Sequence, residues 1–221
     1  MQTREFKVLL TQAYDHIKEK ITNGDLSYNE IYSETALARE IGISRTPVRD
    51  AIHLLYQEGL IDIIPSKGFT LHKLTVQDVM NTYEIRSAIE GFCARKLALE
   101  KDTRPAKRIL LELRGSLEKQ RAIYESDKDV ELFVDNDQAF HSFLISYGGN
   151  TAFQEIFDQN MYRIRKFATY TLAKEGRMEN TLKEHQQIYD LIAAGDASGV
   201  YEAVLTHMIN PLDFNLELVY Q

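Results

Sequence analysis

Only one short stretch of this 221-residue chain has the pattern of β-strands. Residues 60–64 read LIDII, residues 65–68 form the turn cluster PSKG, and residues 69–72 read FTLH. Two short apolar runs on either side of a turn cluster predict a β-hairpin. Elsewhere, apolar residues recur in steps of three and four, which indicates helices. We therefore predict a mainly α-helical fold with one small hairpin.

Composition limits the class of protein. Hydrophobic residues make up 44% and charged residues 27% of the chain, which is ordinary for a globular protein. The single cysteine, Cys93, excludes a disulfide framework and a cysteine-based zinc finger. No apolar run approaches the ~18 residues that a membrane span needs, and the first residues lack a signal-peptide layout. We expect a cytoplasmic protein with no membrane partner.

Residues 1–74 are predicted to form a winged helix-turn-helix. The first helix is expected at residues 4–22, and the second starts after Ser33 and runs to Ile41. Gly42 lets the chain turn, and Ser44 is expected to cap a third helix that ends at Gly59. Two helices joined by a tight turn are typical of DNA-binding proteins, and the hairpin would be the wing.

The third helix has an apolar face, with Val48, Ala51, Ile52 and Leu55, and a separate polar face. Arg45 and Arg49 on the polar face can each make a two-pronged contact to guanine in the major groove. Ser44 and Thr46 would add phosphate contacts at the helix N-terminus. An isolated arginine pair on a helix is more often merely solvated, but its place after this turn favours DNA binding.

Two residues at the predicted wing tip, Lys67 and Gly68, suit a close approach to phosphate or to a minor groove. The net charge of −7 at first argues against a nucleic-acid partner. However, residues 1–74 carry nine basic and ten acidic residues, so most of the acidity lies in residues 75–221. DNA affinity must then depend on a few basic side chains at the positions that contact DNA, and on the presence of two copies of the chain.

Residues 75–221 are predicted to form a separate, all-helical domain, with the boundary near residues 73–76. The breaks between its helices are short, which is typical of an antiparallel bundle. We expect about six helices, near residues 76–100, 104–125, 129–147, 151–174, 179–194 and 197–219.

Four polar residues of this domain could bind one metal ion. Asp137 and His141 are four apart, so they share one helix face. His185 and His207 each lie on an otherwise apolar stripe, so they are expected to face the core. A histidine on such a stripe is more often a hydrogen-bonded core residue than a ligand. With three of them and an aspartate together, the two interpretations are about equally supported, because burying these groups uncompensated is costly.

The first 74 residues also resemble a known family. Residues 44–51 (SRTPVRDA), Leu55, residues 58–60 (EGL) and residues 65–69 (PSKGF) closely resemble the DNA-recognition region of GntR transcription regulators. The resemblance implies a winged helix that binds double-stranded operator DNA as a homodimer. The sequence departs from the family at Thr35, where some members have a DNA-contacting arginine.

The second domain resembles the helical effector domain of the FadR-like subgroup of these regulators, the FCD type. The matching pieces are YEIR at residues 83–86, DQAFH at 137–141, EH at 184–185, AAGD at 193–196 and HM at 207–208.

In many members of this subgroup, one aspartate and three histidines bind a divalent metal. The resemblance therefore implies Asp137, His141, His185 and His207 as ligands, with zinc or nickel as the expected ion, although ligand type alone does not choose. Arg86 could hold the carboxylate of a small organic acid effector. A simple ion pair between Arg86 and Glu90 is equally consistent with the sequence.

These features predict a ligand-responsive regulator. The resemblance implies repression that the effector relieves, with activation as the other mode of regulation. A metal sensor, in which the ion itself is the signal, is the first alternative. A metal-dependent enzyme acting on a small carboxylic acid is the second. The enzyme is disfavoured because no general base is placed beyond the ligands and because it leaves the DNA-reading domain without a purpose.

Overall fold

A computed structural model describes residues 2–220 of the chain and the side chains of residues 6–220. It separates into two compact units, of which the first ends at Leu74 and the second begins at Thr75. The predicted mainly α-helical fold with a small hairpin is confirmed. None of the described helices combines the length and the apolar character needed to cross a bilayer.

The first unit is a three-helix arrangement with a hairpin. Ser33 caps the second helix, because its side chain accepts a hydrogen bond from the Thr35 amide. Gly42 ends that helix at φ 78°, a left-handed conformation that glycine adopts without a steric penalty. The elements are α1 (Gln2–Thr22), α2 (Glu34–Ile41), α3 (Arg45–Gln57), β1 (Ile61–Ile64) and β2 (Gly68–Leu71).

The inward face of α3 is as predicted: Val48, Ala51, Ile52 and Leu55 are buried. Packing of α3 against α1 fixes which side of α3 remains at the surface of the unit. The hairpin pairs Ile61 with Leu71 in antiparallel register.

One local expectation is corrected. Ser44 precedes α3, but its side chain makes no capping hydrogen bond. Gly68 has φ 133°, and a Cβ there would come within 2.0 Å of the Tyr32 carbonyl oxygen. Tyr32 forms an isolated bridge with Phe69, which the sequence did not predict. The fold itself therefore requires a glycine at position 68, whatever this residue contacts on DNA.

The second unit has seven helices among its described residues, where six were predicted. The predicted helix at 197–219 is interrupted after Ile209, because Pro211 has no amide hydrogen to continue the ladder of helical hydrogen bonds. The helices are α4 (Val76–Leu99), α5 (Arg104–Glu125), α6 (Val130–Gly148), α7 (Thr151–Leu172), α8 (Arg177–Ala194), α9 (Ala197–Ile209) and α10 (Leu212–Val219).

Helix α4 is the centre of the bundle. It packs against α6, α7, α8, α9 and α10. A capping box between Thr75 and Asp78 fixes its start. Because five helices pack against α4, two of its charged residues are enclosed: Arg86 is 6% exposed and Glu90 is fully buried. This enclosure places charged groups of α4 beside side chains of α6, α8 and α9.

Candidate functional site

Three histidines from three helices meet inside the second unit. His141 lies on α6, His185 on α8 and His207 on α9, and all three are buried. Nε2 of His207 lies 3.3 Å from Nε2 of His185 and 3.3 Å from Nε2 of His141. One ligand atom from each histidine fits within a group spanning 4.8 Å. The three rings therefore present their Nε2 atoms to one common point.

The carboxylate of Asp137 approaches the same point from one turn before His141. Its Oδ1 atom lies 3.8 Å from Nε2 of His141 and 3.6 Å from Nε2 of His185. Asp137 is also buried. All four residues predicted from the sequence thus lie together, although they come from three helices and span 71 positions of the chain.

Each histidine has a hydrogen-bond acceptor at its other ring nitrogen. Nδ1 of His141 lies 2.5 Å from a carboxylate oxygen of Glu90, and Nδ1 of His207 lies 2.6 Å from one of Glu184. Nδ1 of His185 lies 2.9 Å from the side-chain oxygen of Gln120. Carboxylate and amide oxygens only accept hydrogen bonds, so each Nδ1 must carry the hydrogen. In a neutral ring, each Nε2 then presents a lone pair.

The amide of Gln120 is itself held in one orientation. Its nitrogen donates to the backbone carbonyl oxygen of Asn136 at 3.1 Å, so its oxygen must face His185. Acceptors that fix the tautomer and the orientation of a histidine are typical of metal sites. The donor set therefore fits a divalent metal that prefers nitrogen and oxygen ligands, such as zinc or nickel.

The electrostatics of the site favour the neutral imidazoles that bind metal. Burial lowers the pKa of His185 well below its usual value, and the neighbouring His207 and His141 lower it further. Burial also lowers the pKa of His207, against the opposing effect of its hydrogen bond to Glu184. Protonation would place positive charges a few ångströms apart in a dry interior, which is unfavourable.

The two buried glutamates remain ionised. Burial alone would raise the pKa of Glu90, but Arg86 and His141 outweigh it and lower that pKa to about 2. Burial likewise opposes ionisation of Glu184, and its contacts with His207 and Arg177 lower its pKa to about 2. Each glutamate therefore links one histidine to one arginine, and two parallel Arg–Glu–His chains converge on the site.

A small cavity of about 30 Å³ adjoins His141 and His207, which is space for about one water molecule. Arg86 donates through Nε to Glu90 at 2.7 Å, so the predicted ion pair is present. Its Nη2 atom is buried and has no hydrogen-bond partner among the described residues. Nε of Arg177 is in the same situation. Both arginines line this cavity.

Hydroxyl groups add further donors to the cavity wall. Asn215 of α10 donates through Nδ2 to the hydroxyl oxygens of Tyr83 and Thr171, at 2.8 and 2.9 Å. Arg177 donates to the hydroxyl oxygen of Thr181 at 3.1 Å. A hydroxyl that accepts in this way keeps its own hydrogen to donate. Two guanidinium groups and three such hydroxyls line the cavity together with the carboxylate of Asp137, so hydrogen-bond donors for an anion lie beside one acidic group.

The sequence indicated the predicted metal ligands better than the residues that hold those ligands in place. Glu90 was considered only as a partner of Arg86, and Gln120, Arg177 and Asn215 were missed. Gln120 is 65 positions from His185, so no periodicity on one helix links them. Glu184 directly precedes His185 in the chain, yet it supports His207 of another helix instead.

In the first unit, the predicted DNA-contacting residues of α3 are all exposed. Ser44, Arg45, Thr46 and Arg49 lie outside its buried face, and Lys67 is exposed in the hairpin turn. The structure brings Arg45 and Arg49 together at one acceptor, Glu34 at the start of α2. Their contacts with DNA stay a prediction.

The comparisons with known proteins agree with this architecture. Residues 9–71 match the family model of "Bacterial regulatory proteins, gntR family", and residues 81–210 match the FCD domain. The chain is 29% identical over 199 residues to an HTH-type transcriptional regulator of Bacillus subtilis (strain 168) described as uncharacterized. That match covers 89% of this chain and 86% of the relative.

A second relative is the "Probable D-xylose utilization operon transcriptional repressor" of Paenarthrobacter nicotinovorans. It is 28% identical, and the match covers 90% of this chain and 84% of the relative. Among solved structures, the E. coli protein McbR/YncC has the same fold, with a TM-score of 0.66 and 22% identity, over 96% of this chain and 97% of that one. The relatives are transcriptional regulators rather than enzymes, as the sequence predicted. The FCD match alone spans more than half of the sequence, and together with the helix-turn-helix match it shows that the chain belongs to the GntR family of bacterial transcription regulators with an FCD domain.

Proposed function

We propose that this regulator is a homodimeric repressor whose DNA affinity responds to a small organic acid bound beside a divalent metal. The first unit (residues 1–74) reads the operator through Ser44, Arg45, Thr46, Arg49, Lys67 and Gly68. The second unit (residues 75–221) holds the metal through Asp137, His141, His185 and His207, and holds the acid through Arg86. The observation that carries the proposal is the convergence of three buried Nε2 atoms beside a buried guanidinium with an unpartnered N–H.

The charges of the site explain why metal and acid would bind together. Without metal, the three carboxyl groups of Glu90, Glu184 and Asp137 outnumber the two guanidinium groups of Arg86 and Arg177 by one formal charge. The site is then net negative and disfavours an anion. A divalent ion changes the balance to one positive charge, which one carboxylate neutralises in a low-dielectric interior. The proposed effector is therefore a small acid with a single carboxylate.

A divalent metal held by Asp137, His141, His185 and His207 would supply positive charge that attracts a carboxylate. Arg86 supplies the directional part of recognition. Glu90 fixes its Nε end and leaves Nη2 facing the cavity. A guanidinium held in this way keeps its geometry for an incoming carboxylate. The cavity is smaller than such an acid, so the bound state must differ from the present one, and a ligand that prefers the wider state shifts the population toward it.

The operator side follows from symmetry. A homodimer presents two copies of α3, which read two half-sites related by a two-fold axis. The relative of Paenarthrobacter nicotinovorans is described as a repressor, which supports repression here. Sedimentation of the purified protein tests the dimer, and a monomer at the concentrations that bind DNA contradicts it.

Titration calorimetry with acetate and lactate as probe carboxylates tests the effector site. We expect binding to zinc-loaded or nickel-loaded protein and none to chelated protein. Arg86→Met is expected to remove acid binding while retaining the metal. The matched control is Arg108→Met, because Arg108 is an exposed arginine of α5.

Two other outcomes would contradict this proposal in different ways. Equal binding of the probes to chelated and loaded protein contradicts the charge argument. If metal alone changes affinity for an operator selected from random DNA, and no acid changes it further, the protein is a metal sensor instead.

A further inference from the structure

The two arginines proposed to read DNA share a single carboxylate. Oε2 of Glu34, at the first position of α2, lies 3.4 Å from Nη2 of Arg45 and 3.4 Å from Nε of Arg49. The arginine side chains are 58% and 53% exposed, while Glu34 is 24% exposed. Glu34 is thus less exposed than the two arginine side chains that it contacts, and both of these extend into solvent.

The atoms used in these contacts matter for base recognition. A guanidinium has five N–H donors, and a two-pronged contact to guanine uses two of them. Arg49 contacts Glu34 through Nε, so this contact uses none of the four hydrogens on its two Nη atoms. Arg45 uses one Nη2 hydrogen and retains the rest. Contact with Glu34 therefore orients both side chains without occupying the donors that a base pair needs.

We infer that Glu34 is a positioning residue that raises specificity for the operator. This inference rests on the proposed role of α3 in reading DNA. Glu34 holds Arg45 and Arg49 extended before DNA arrives, so less side-chain entropy is lost when bases are contacted. Its charge also offsets part of theirs, which weakens the sequence-independent attraction to phosphates. Both effects increase the ratio of specific to non-specific affinity.

The charge balance of the unit agrees with this inference. Residues 1–74 carry nine basic and ten acidic residues, an unusual balance for a unit that binds a polyanion. A carboxylate placed on the arginines of the reading helix makes non-specific binding weaker still. At the operator, contacts between these arginines and bases can replace the attraction to phosphates that the carboxylate removes.

The test compares Glu34→Gln and Glu34→Asp with the wild type in the full-length protein. Affinity is measured by fluorescence anisotropy for a duplex selected from random DNA and for an unrelated duplex of equal length. We expect Glu34→Gln to strengthen non-specific binding and weaken specific binding. The ratio of specific to non-specific affinity is expected to fall by about tenfold, which is within the contribution of one two-pronged base contact.

Glu34→Asp separates position from charge, because the charge stays while the carboxylate is one methylene short of the arginines. We expect weaker specific binding with unchanged non-specific binding. The matched control is Glu40→Gln, which removes the same charge from the same helix but contacts Lys20 and His16 instead. Glu40→Gln is expected to leave the ratio of affinities unchanged.

The outcomes distinguish this inference from the proposed function. If Arg49→Ala binds the selected duplex as tightly as the wild type does, α3 does not read the operator, and both proposals fail. If Arg49→Ala weakens binding but both Glu34 variants keep the wild-type ratio, only the inference about Glu34 is overturned. An equal fall in the ratio for Glu34→Gln and Glu40→Gln also overturns it, because the effect is then one of overall charge.

Discussion

The two units of this protein place their charged groups in opposite ways. On α3, Arg45 and Arg49 are more than half exposed and share one acceptor. In the helical unit, Arg86 and Arg177 are almost fully buried, and each is paired with a carboxylate that also contacts a histidine. Exposed pairs contribute little to stability. Buried pairs are fixed, and loss of one partner leaves an uncompensated charge.

This difference suits two different tasks. A surface that must move along DNA needs charges that water can solvate and that bases can capture. A site that must hold a metal and distinguish one small anion needs charges whose positions do not change. The predictions below test that contrast, beginning with the buried site.

Removal of one metal ligand should have the largest effect. His185→Ala is expected to lower metal affinity by more than ~100-fold, because loss of a ligand exceeds the 10–100-fold effect of losing a supporting residue. Elemental analysis after gel filtration measures the retained metal. His16→Ala in α1 is the control, since His16 is only partly buried and contacts Glu40. Wild-type protein that never retains metal would falsify the four-ligand site.

On the exposed side, Arg49→Ala should weaken operator binding by roughly 5–150-fold, the range of one two-pronged base contact. The fold should not change, since Arg49 is exposed and its contact with Glu34 is a weak surface pair. Gel shifts with a selected duplex measure the loss. Arg108→Ala in the helical unit removes the same charge as a control, and an equal loss in that variant would mean that only net charge matters.

A supporting residue should matter less than a ligand. Glu90→Gln places an amide beside Nδ1 of His141 and weakens the acceptor that fixes its tautomer. We expect roughly 10–100-fold weaker metal binding by competition with a chelator. Glu100→Gln, an exposed change directly after the last residue of α4, is the control. Unchanged affinity in Glu90→Gln would show that the ligands are fixed by helix packing alone.

The metal-free protein should lose stability as the pH falls. The pKa of His185 and that of His207 are lower in the folded state than the ordinary value of about 6.5. The unfolded state therefore binds more protons below that value, and the free energy of unfolding decreases by up to about 1.4 kcal/mol per pH unit for each histidine.

Urea unfolding of chelated protein between pH 7.5 and about 5 measures this slope. His185→Gln, which cannot titrate, should show a shallower slope. The same slope in both proteins would place the acid sensitivity elsewhere.

The two units also differ in how far the sequence could predict them, because contacts are local in the first and join distant helices in the second. The helix-turn-helix is formed by contiguous residues, so the turn at Gly42 and the buried face of α3 were readable from local spacing. The Asp137–His141 pair was readable because both residues share a helix. The contacts of Gln120 with His185 and of Glu184 with His207 join different helices, and only packing decides them. The break at Pro211 was also missed, although proline there has a local cause.

The smallest expected effect concerns two serines at equivalent positions of α2 and α3. Ser33 accepts a hydrogen bond from the Thr35 amide at 3.2 Å, whereas the side chain of Ser44 makes no such bond. Ser33→Ala should therefore destabilise the protein by about 0.5–2 kcal/mol, the usual contribution of a cap. Ser44→Ala should change stability by less than about 0.5 kcal/mol, as other surface substitutions do, and should instead weaken operator binding. Urea unfolding and gel shifts of both variants measure the two effects. Equal destabilisation would mean that Ser44 caps α3 in solution, and the distinction between a structural and a DNA-facing serine would be lost.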